Sequence, residues 1–297
     1  MIVASASVPR LLSSVVLGLA LGALGACGKG GASNDGAAAP PAASADGSQA
    51  NAAPAKVEPP APTLPDAEGI LAKAAEAMGG RAAIDAVKTF YYRGKIEMLG
   101  QNIHGTLEIW WQGGDFFMEQ VVPGIGQMHA GKQGDVIWSE DPVNGRRKLS
   151  GVEAEQHAWA SSLLLAAEWK RYFDRAETIA EREQDGKTIY DVQLSAASGL
   201  TVTMSFDATT GLQMGQSFEQ VTPMGRQPFE VTFSDYREVD GIKIAFKQLI
   251  DAKVQKMVQV IEAVELGAEV DVSKFAYPRD GADVVVQPKA AAAQPPG

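Results

Sequence analysis

Apolar side chains recur at every second position through most of the stretch from residue 90 to residue 246, and no other feature restricts the fold of this 297-residue chain as much. In FYYRGKIEM, Phe90, Tyr92, Gly94, Ile96 and Met98 share one side, and Tyr91, Arg93, Lys95 and Glu97 the other. In NIHGTLEIWW, Ile103, Gly105, Leu107, Ile109 and Trp111 fall together against His104, Thr106 and Glu108. The same period continues through Val136 and Trp138, through Tyr190, Val192 and Leu194, and through Leu200, Val202, Met204 and Phe206. It resumes in Phe229, Val231 and Phe233 and in Ile242, Ile244 and Phe246. A period of two places successive side chains on opposite faces, so each strand is covered on one side only. The short links GQ, GGD, DG and TG supply turn chemistry between antiparallel neighbours. The expectation is a mainly β domain of about ten or eleven strands in an antiparallel meander. Open sheets of that size curl.

Two helices stand beside the strands. PDAEGILAKAAEAMGG has Asp66 at the N-cap position, Ile70, Leu71, Ala74 and Met78 as a stripe, and Gly79-Gly80 as a stop. GVEAEQHAWASSLLLAAEW reads as one long helix with Val152, Trp159 and Leu163 on one stripe. Two helices have one wide apolar face to cover, which predicts a curled sheet with a helical lid across its mouth, either a container or a packed half-barrel; acyl binding needs the hollow to be partly vacant. Tyr92, Ile96, Leu107, Ile109, Trp111, Trp138, Trp159, Leu163, Met204 and Phe206 are the candidate lining of that hollow, with ordinary core packing as the alternative for each. Trp110 and Trp111 must face opposite ways, so one of them is exposed or covered by another element or a partner.

The N-terminal segment settles a different question. Residues 11–24 are apolar but shorter than the roughly 20 residues that span a bilayer, as in a signal peptide. The run ends at Cys27, the chain's single cysteine, so an intrachain disulfide is excluded. Leu24-Gly25-Ala26-Cys27 resembles a bacterial lipobox, with a plain secretory signal as the alternative. The resemblance implies cleavage after residue 26, diacylglycerol on the Cys27 sulfur and usually a further acyl chain of the palmitate kind. Two chains anchor stably where one does not. Residues 27–65, rich in Ala, Pro, Gly and Ser, read as a disordered tether of ~35 Å end to end, either a leash or a mere spacer. Residues 66–280 are the folded domain and 281–297 an unstructured tail. A net charge of −10 argues against nucleic acid as a partner.

Signals of catalysis are weak. There is no Gly-x-Ser-x-Gly, no His-Glu-x-x-His and no Cys-x-x-Cys. His104 with Glu108 is a candidate metal pair only if further ligands converge; the alternative is an exposed strand histidine. His157 reads as a polar-face helix residue. Asp240-Gly241 in DYREVDG is hairpin chemistry. The expectation is a non-enzyme with no metal and no cofactor.

Three stretches resemble the lipoprotein-carrier superfamily of LolA and LolB, including outer-membrane lipoprotein-sorting domains: AEAMGGRAAIDAVKTFYYRGKIEM, PGIGQMHAGKQGDVIWSEDPVNGRRKLSG and FSDYREVDGIKIAFK. Ala245 replaces the proline usual in the last. The resemblance implies an unclosed barrel, lid helices, an inner face that takes acyl chains, and an arginine that helps hold the lid shut, for which Arg93 and Arg171 are candidates. The expected partners are lipid acyl chains or other lipoproteins, and the expected state is a monomer; Gly28 rather than Asp after the cysteine implies, by the best-known sorting rule, the periplasmic face of the outer membrane rather than the inner membrane. Burying two acyl chains would contribute on the order of 10 kcal/mol before ordering costs. The alternative is a structural or regulatory module that uses the same half-barrel to bind a protein.

Overall fold

The computed structural model describes residues 64–223 and 225–278. The expected signal peptide, the acyl site at Cys27, nearly all of the tether and the tail lie outside the described residues. Helices α1 (Ala67–Ala77) and α2 (Arg81–Ala86) precede strands β1 (Thr89–Met98), β2 (Ile103–Gln112), β3 (Asp115–Val122), β4 (Gly126–Gln133), β5 (Val136–Asp141) and β6 (Gly145–Lys148). Helices α3 (Gly151–Ala160) and α4 (Leu165–Glu168) and a 3-10 turn (Trp169–Arg171) follow. Strands β7 (Arg175–Gln184), β8 (Lys187–Ser195), β9 (Thr201–Asp207), β10 (Gln213–Thr222), β11 (Gly225–Val239), β12 (Ile242–Asp251) and β13 (Lys256–Leu266) complete the sheet, before a last 3-10 turn at Val272–Phe275.

All thirteen strands form one antiparallel, unclosed sheet in the order β6-β5-β4-β3-β2-β1-β13-β12-β11-β10-β9-β8-β7. Two meanders are thus zipped together along β1 and β13. The count exceeds the expected ten or eleven because edge strands need no apolar alternation: β6 has four residues, and β7 is charged and mostly exposed. Charge on an edge also discourages pairing with another chain. Irregular register in β1–β13, β7–β8 and β10–β9 increases local twist and bends the sheet. At the first of these, a Cβ on Gly94 would lie 2.7 Å from the Val260 carbonyl oxygen, so only glycine allows the two central strands to approach.

Helix α1 starts as expected, with the Asp66 carboxylate accepting from the Gly69 N–H at 2.8 Å. Its buried stripe is Ile70, Leu71, Ala74 and Ala75. Gly79 and Gly80 adopt φ of 131° and 84° and end it. The helix expected over 151–169 is instead broken. The Ser161 hydroxyl donates to the Ala158 carbonyl at 2.8 Å. The Ser162 hydroxyl donates to Glu168 at 2.9 Å and accepts from the Leu164 N–H at 3.2 Å. Serine hydroxyls that capture local backbone groups compete with helix continuation.

The inner face of β1–β4 and β11–β13 forms one apolar cluster with α2, Leu164 and Ala167, and that of β8–β9 forms another with α1, α3 and α4. Among the described residues no helix is long and apolar enough to cross a membrane. Gly94→Val should lower the urea midpoint, with a loss of about 1–3 kcal/mol, because the added carbons meet backbone rather than a movable side chain. An unchanged midpoint would contradict the close approach.

Candidate functional site: the helical bridge and the wall beneath it

The chain leaves the sheet at edge strand β6 and re-enters at the opposite edge, β7. Residues 149–174 must therefore cross the width of the sheet on one side. They do so over the inner face, with α3 touching β5 near one edge and β10 near the other. Trp159 is the bridge's anchor: its ring meets Phe218 edge-on at 5.1 Å and lies 6.0 Å from Phe173. Leu163 and Leu164 pack against the β1–β4 cluster and Leu165 and Ala166 against the β8–β9 cluster.

Polar contacts pin the bridge to its surroundings. Arg147 on β6 donates to Glu153 on α3 through both terminal nitrogens, at 2.8 and 2.5 Å, with both side chains largely buried. Beyond Phe218, strand β10 has no partner on its β9 side. There the Gln156 amide takes the place of a strand, donating to the Glu219 carbonyl and accepting from the Val221 N–H, each at 2.8 Å. Arg81 donates to the Ala167 carbonyl at 2.8 Å, and Lys170 reaches Glu68 at 2.8 Å. Arg171 donates to the Gly113 carbonyl in the β2–β3 turn, where a Cβ on Gly114 would collide with the guanidinium. Of the two candidate lid arginines, Arg171 therefore touches both the bridge and the sheet. Arg93 lies on the outer face, half-exposed, 4.0 Å from Glu262.

Nine of the ten candidate lining residues come together on the inner side. Tyr92, Ile96, Leu107, Ile109, Trp111, Met204 and Phe206 are buried on the sheet, and Trp159 and Leu163 lie on the bridge. Trp138 is the exception. Its register with Gly131, which itself pairs with Phe117, puts it on the outer face. There it packs against Phe117, meets Tyr277 edge-on and donates from its indole to the Phe275 carbonyl at 2.9 Å. Alternation made Trp138 look inward; the 3-10 turn that covers it is 137 residues away. Trp110, also on the outer face, is covered by Tyr91, Phe117 and the Lys274 ammonium.

Of the two readings, container or packed half-barrel, the described residues favour the packed one: side chains of the bridge seat against both apolar clusters of the inner face. What remains between bridge and sheet is a crevice of about 110 Å³ near Tyr92, Trp159, Leu163, Gln213, Gln216 and Gln248. Ligand sites typically occupy roughly 300–1,000 Å³, so an acyl chain enters only if the bridge moves. A larger groove of about 740 Å³ lies among α1, α2 and α4 and includes no strand residue. The glutamines were missed by apolar patterning, although Gln248 and Gln259 stand in phase with Phe246, Ile250, Met257 and Ile261.

His157 is a second correction. It is buried, not on a solvated face, because the crossing helix is covered on more than one side. Burial lowers its pKa from 6.5 to about 4, partly opposed by Glu153 and reinforced by Arg147. Burial likewise raises the Tyr92 phenol well above its ordinary range. His104 is exposed and lies 3.4 Å from the Asn102 side-chain oxygen. Among the described residues no three His, Cys, Asp or Glu side chains converge as a metal site.

These features define a class: an unclosed antiparallel half-barrel bridged from edge to edge by short helices. No family model matches the chain, and no curated protein matches it. Solved structures do. A LolA superfamily protein from Nitrosomonas europaea aligns with a TM-score of 0.51 at 13% identity, over 72% of this chain and 98% of that one. A DUF1329 family protein from Desulfovibrio piger gives 0.49 at 13%, over 71% and 97%. A putative outer membrane lipoprotein-sorting protein domain from Vibrio parahaemolyticus gives 0.46 at 11%, over 71% and 97%. The chain has the fold of the LolA superfamily.

Gln156→Ala should raise amide exchange in α3 at least several-fold while β1 and β13 keep their protection; equal protection throughout would show that the amide does not hold the bridge. The histidine predicts a pH dependence. Unfolded His157 takes a proton near pH 6.5 and folded His157 only near 4, so its contribution is fully present above 6.5 and is lost as pH falls between these values. The loss should total about 3 kcal/mol, and His157→Gln should flatten the stability profile across that window. A wild-type profile already flat there would contradict the burial argument.

Proposed function

We propose that this chain is a non-enzymatic, lipid-anchored lipoprotein of the cell envelope that binds acyl chains of lipids or of other lipoproteins on the inner face of its half-barrel. The observation that carries the reading is the wall beneath the bridge. It is largely apolar, in two clusters with a few glutamines between strands, and Met78, Met98, Met118, Met128, Met204 and Met257 contribute to it. Methionine is unbranched and polarizable, so a wall rich in it repacks around flexible apolar partners. The bridge over it is two helices of ten and four residues. Helices this short have little stability of their own, and their position rests on the apolar anchors and the polar pins described above.

In this mechanism the bridge swings away, its leucines and Trp159 leave the wall, and acyl methylenes replace them. Apolar area is exchanged for apolar area, so the net cost is mainly the broken polar pins and the ordering of the chain. The anchor at Cys27 would hold the domain at a membrane, on the periplasmic face of the outer membrane, as a monomer. A second reading has a specific observation in its favour: the filled interior suits a half-barrel that binds a protein and keeps its core shut.

A fluorescent sixteen-carbon acyl probe decides between them. The full chain carrying Cys27→Ser should take up about one probe per molecule with a micromolar Kd and should co-purify with extractable lipid. A folded protein that takes up no probe and carries no lipid would favour the protein-binding module.

A further inference from the structure

On the outer face of the sheet, register lines up two neighbouring rows of side chains across the strands. One row is aromatic: Tyr91, Trp110, Phe117 and Trp138 on β1, β2, β3 and β5, with Gly131 of β4 between the last two. A Cβ on Gly131 would lie 2.5 Å from the Trp138 ring nitrogen, so the glycine leaves the indole room to lean toward Phe117. The other row, two residues along each strand, is polar: Glu119, His129, Glu140 and Arg146 on β3 to β6. Both rows and the C-terminal segment that covers Trp138 border an open groove of about 500 Å³, a volume in the range of small-ligand sites.

Phe117 and Tyr277, both half-buried, give the groove its ring surface. Beside them the Glu119 and Glu140 carboxylates flank the His129 imidazole at 3.2 and 3.7 Å. Arg146 donates to Glu140 at 3.1 and 3.3 Å, and the Lys274 ammonium lies 4.3 Å from the centre of the Trp110 ring. Two carboxylates are thus matched by a guanidinium and an ammonium, and with the imidazole neutral the groove has no net formal charge. A cationic ligand meets Arg146 and Lys274, and an anionic one meets Glu119 and Glu140. A hydrocarbon strips water from all four without replacing its hydrogen bonds. The ligand that fits is neutral, with C–H groups on a flat side for the ring faces and a rim of groups that donate to carboxylates and accept from cations. A pyranose has this form. Neighbouring strands set the polar side chains about 4.8 Å apart, close to the length of one sugar unit, so adjacent units of a chain meet successive members of the row.

We propose that the outer groove is a glycan subsite for neutral pyranose units, with Phe117 and Tyr277 as the stacking surface and Glu119 and Glu140 as acceptors for sugar hydroxyls. It lies on the face of the sheet opposite the bridge, so it does not depend on what the inner face binds. For an envelope protein such sugars come either from the glycan strands of the cell wall or from the head group of a glycolipid.

The test is saturation-transfer NMR on the full chain carrying Cys27→Ser. The probes are cellotriose, maltotriose and tri-N-acetylchitotriose, and the Trp138 indole N–H, which donates to the Phe275 carbonyl, reports on the groove. At least one sugar should bind with a Kd of about 1 mM or tighter, take up saturation chiefly at its ring C–H protons, and shift the indole resonance. Glu119→Gln should weaken that sugar about tenfold, because a neutral acceptor replaces an ionised one. Tyr277→Leu should weaken it several-fold, because the ring face is lost while apolar cover over Trp138 is kept. If Tyr277→Leu disturbs the Trp138 resonance before sugar is added, Glu119→Gln, whose side chain is 38% exposed, carries the test. Unchanged affinity in Glu119→Gln would overturn the assignment, as would the absence of transfer to any of the three sugars at about 10 mM. Displacement of the sugar by an equal concentration of choline or of sulfate would give the groove to an ion and overturn it too. Co-sedimentation with protein-free cell-wall sacculi, or with vesicles containing a neutral galactosyl lipid, identifies the source: binding to either supports the assignment, and binding to neither contradicts it.

Discussion

Everything distinctive about this molecule follows from where the chain crosses its own sheet. Two meanders zipped along β1 and β13 leave β6 and β7 at opposite edges, and the polypeptide must join them. The link is short enough that it cannot go round the sheet without losing its apolar residues to water. It therefore lies across the inner face, where Trp159 and the Leu163–Leu165 run bury themselves against the strands. A lid over the apolar wall is in this sense a consequence of topology, not an accessory to it.

The division of labour between apolar and polar contacts explains why the crossing is both secure and reversible in principle. The apolar contacts are numerous but nonspecific, and any acyl chain can supply the same. The polar ones are few and directional: a buried bidentate Arg147–Glu153 pair, the Gln156 amide standing in for a strand on β10, and Arg171 on the glycine turn between β2 and β3. A buried ion pair adds little net stability against an apolar replacement, because desolvation offsets the attraction. Its value here is positional. It fixes α3 to one limb of the sheet, while Gln156 fixes it to the other.

Strand alternation made much of the sheet legible. Phe90 to Met98 and Leu200 to Phe206 bury as their period says, and the Asp66 cap and Gly79-Gly80 stop of the first helix stand where local chemistry puts them. What local periodicity misread or left open has other causes, some long-range and some local. The direction in which Trp138 faces depends on β5 register and on a C-terminal turn that no local pattern announces. The break in the bridge depends on serine hydroxyls finding local backbone partners, which a helical stripe does not reveal. The occupancy of the hollow depends on how closely the crossing segment approaches the sheet. The inner glutamines stand in the sequence as polar residues in apolar phase, a signal that a search for apolar periodicity passes over.

The central claim is that the bridge moves to admit acyl chains, and a distance across the mouth tests it most directly. Spin labels at exposed Glu155 on α3 and exposed Glu238 on β11, in a Cys27→Ser background, report that distance by pulsed electron resonance. The account predicts one narrow distribution without ligand and a longer, broader one when a sixteen-carbon acyl probe is bound. Bound probe with an unchanged distribution would contradict it.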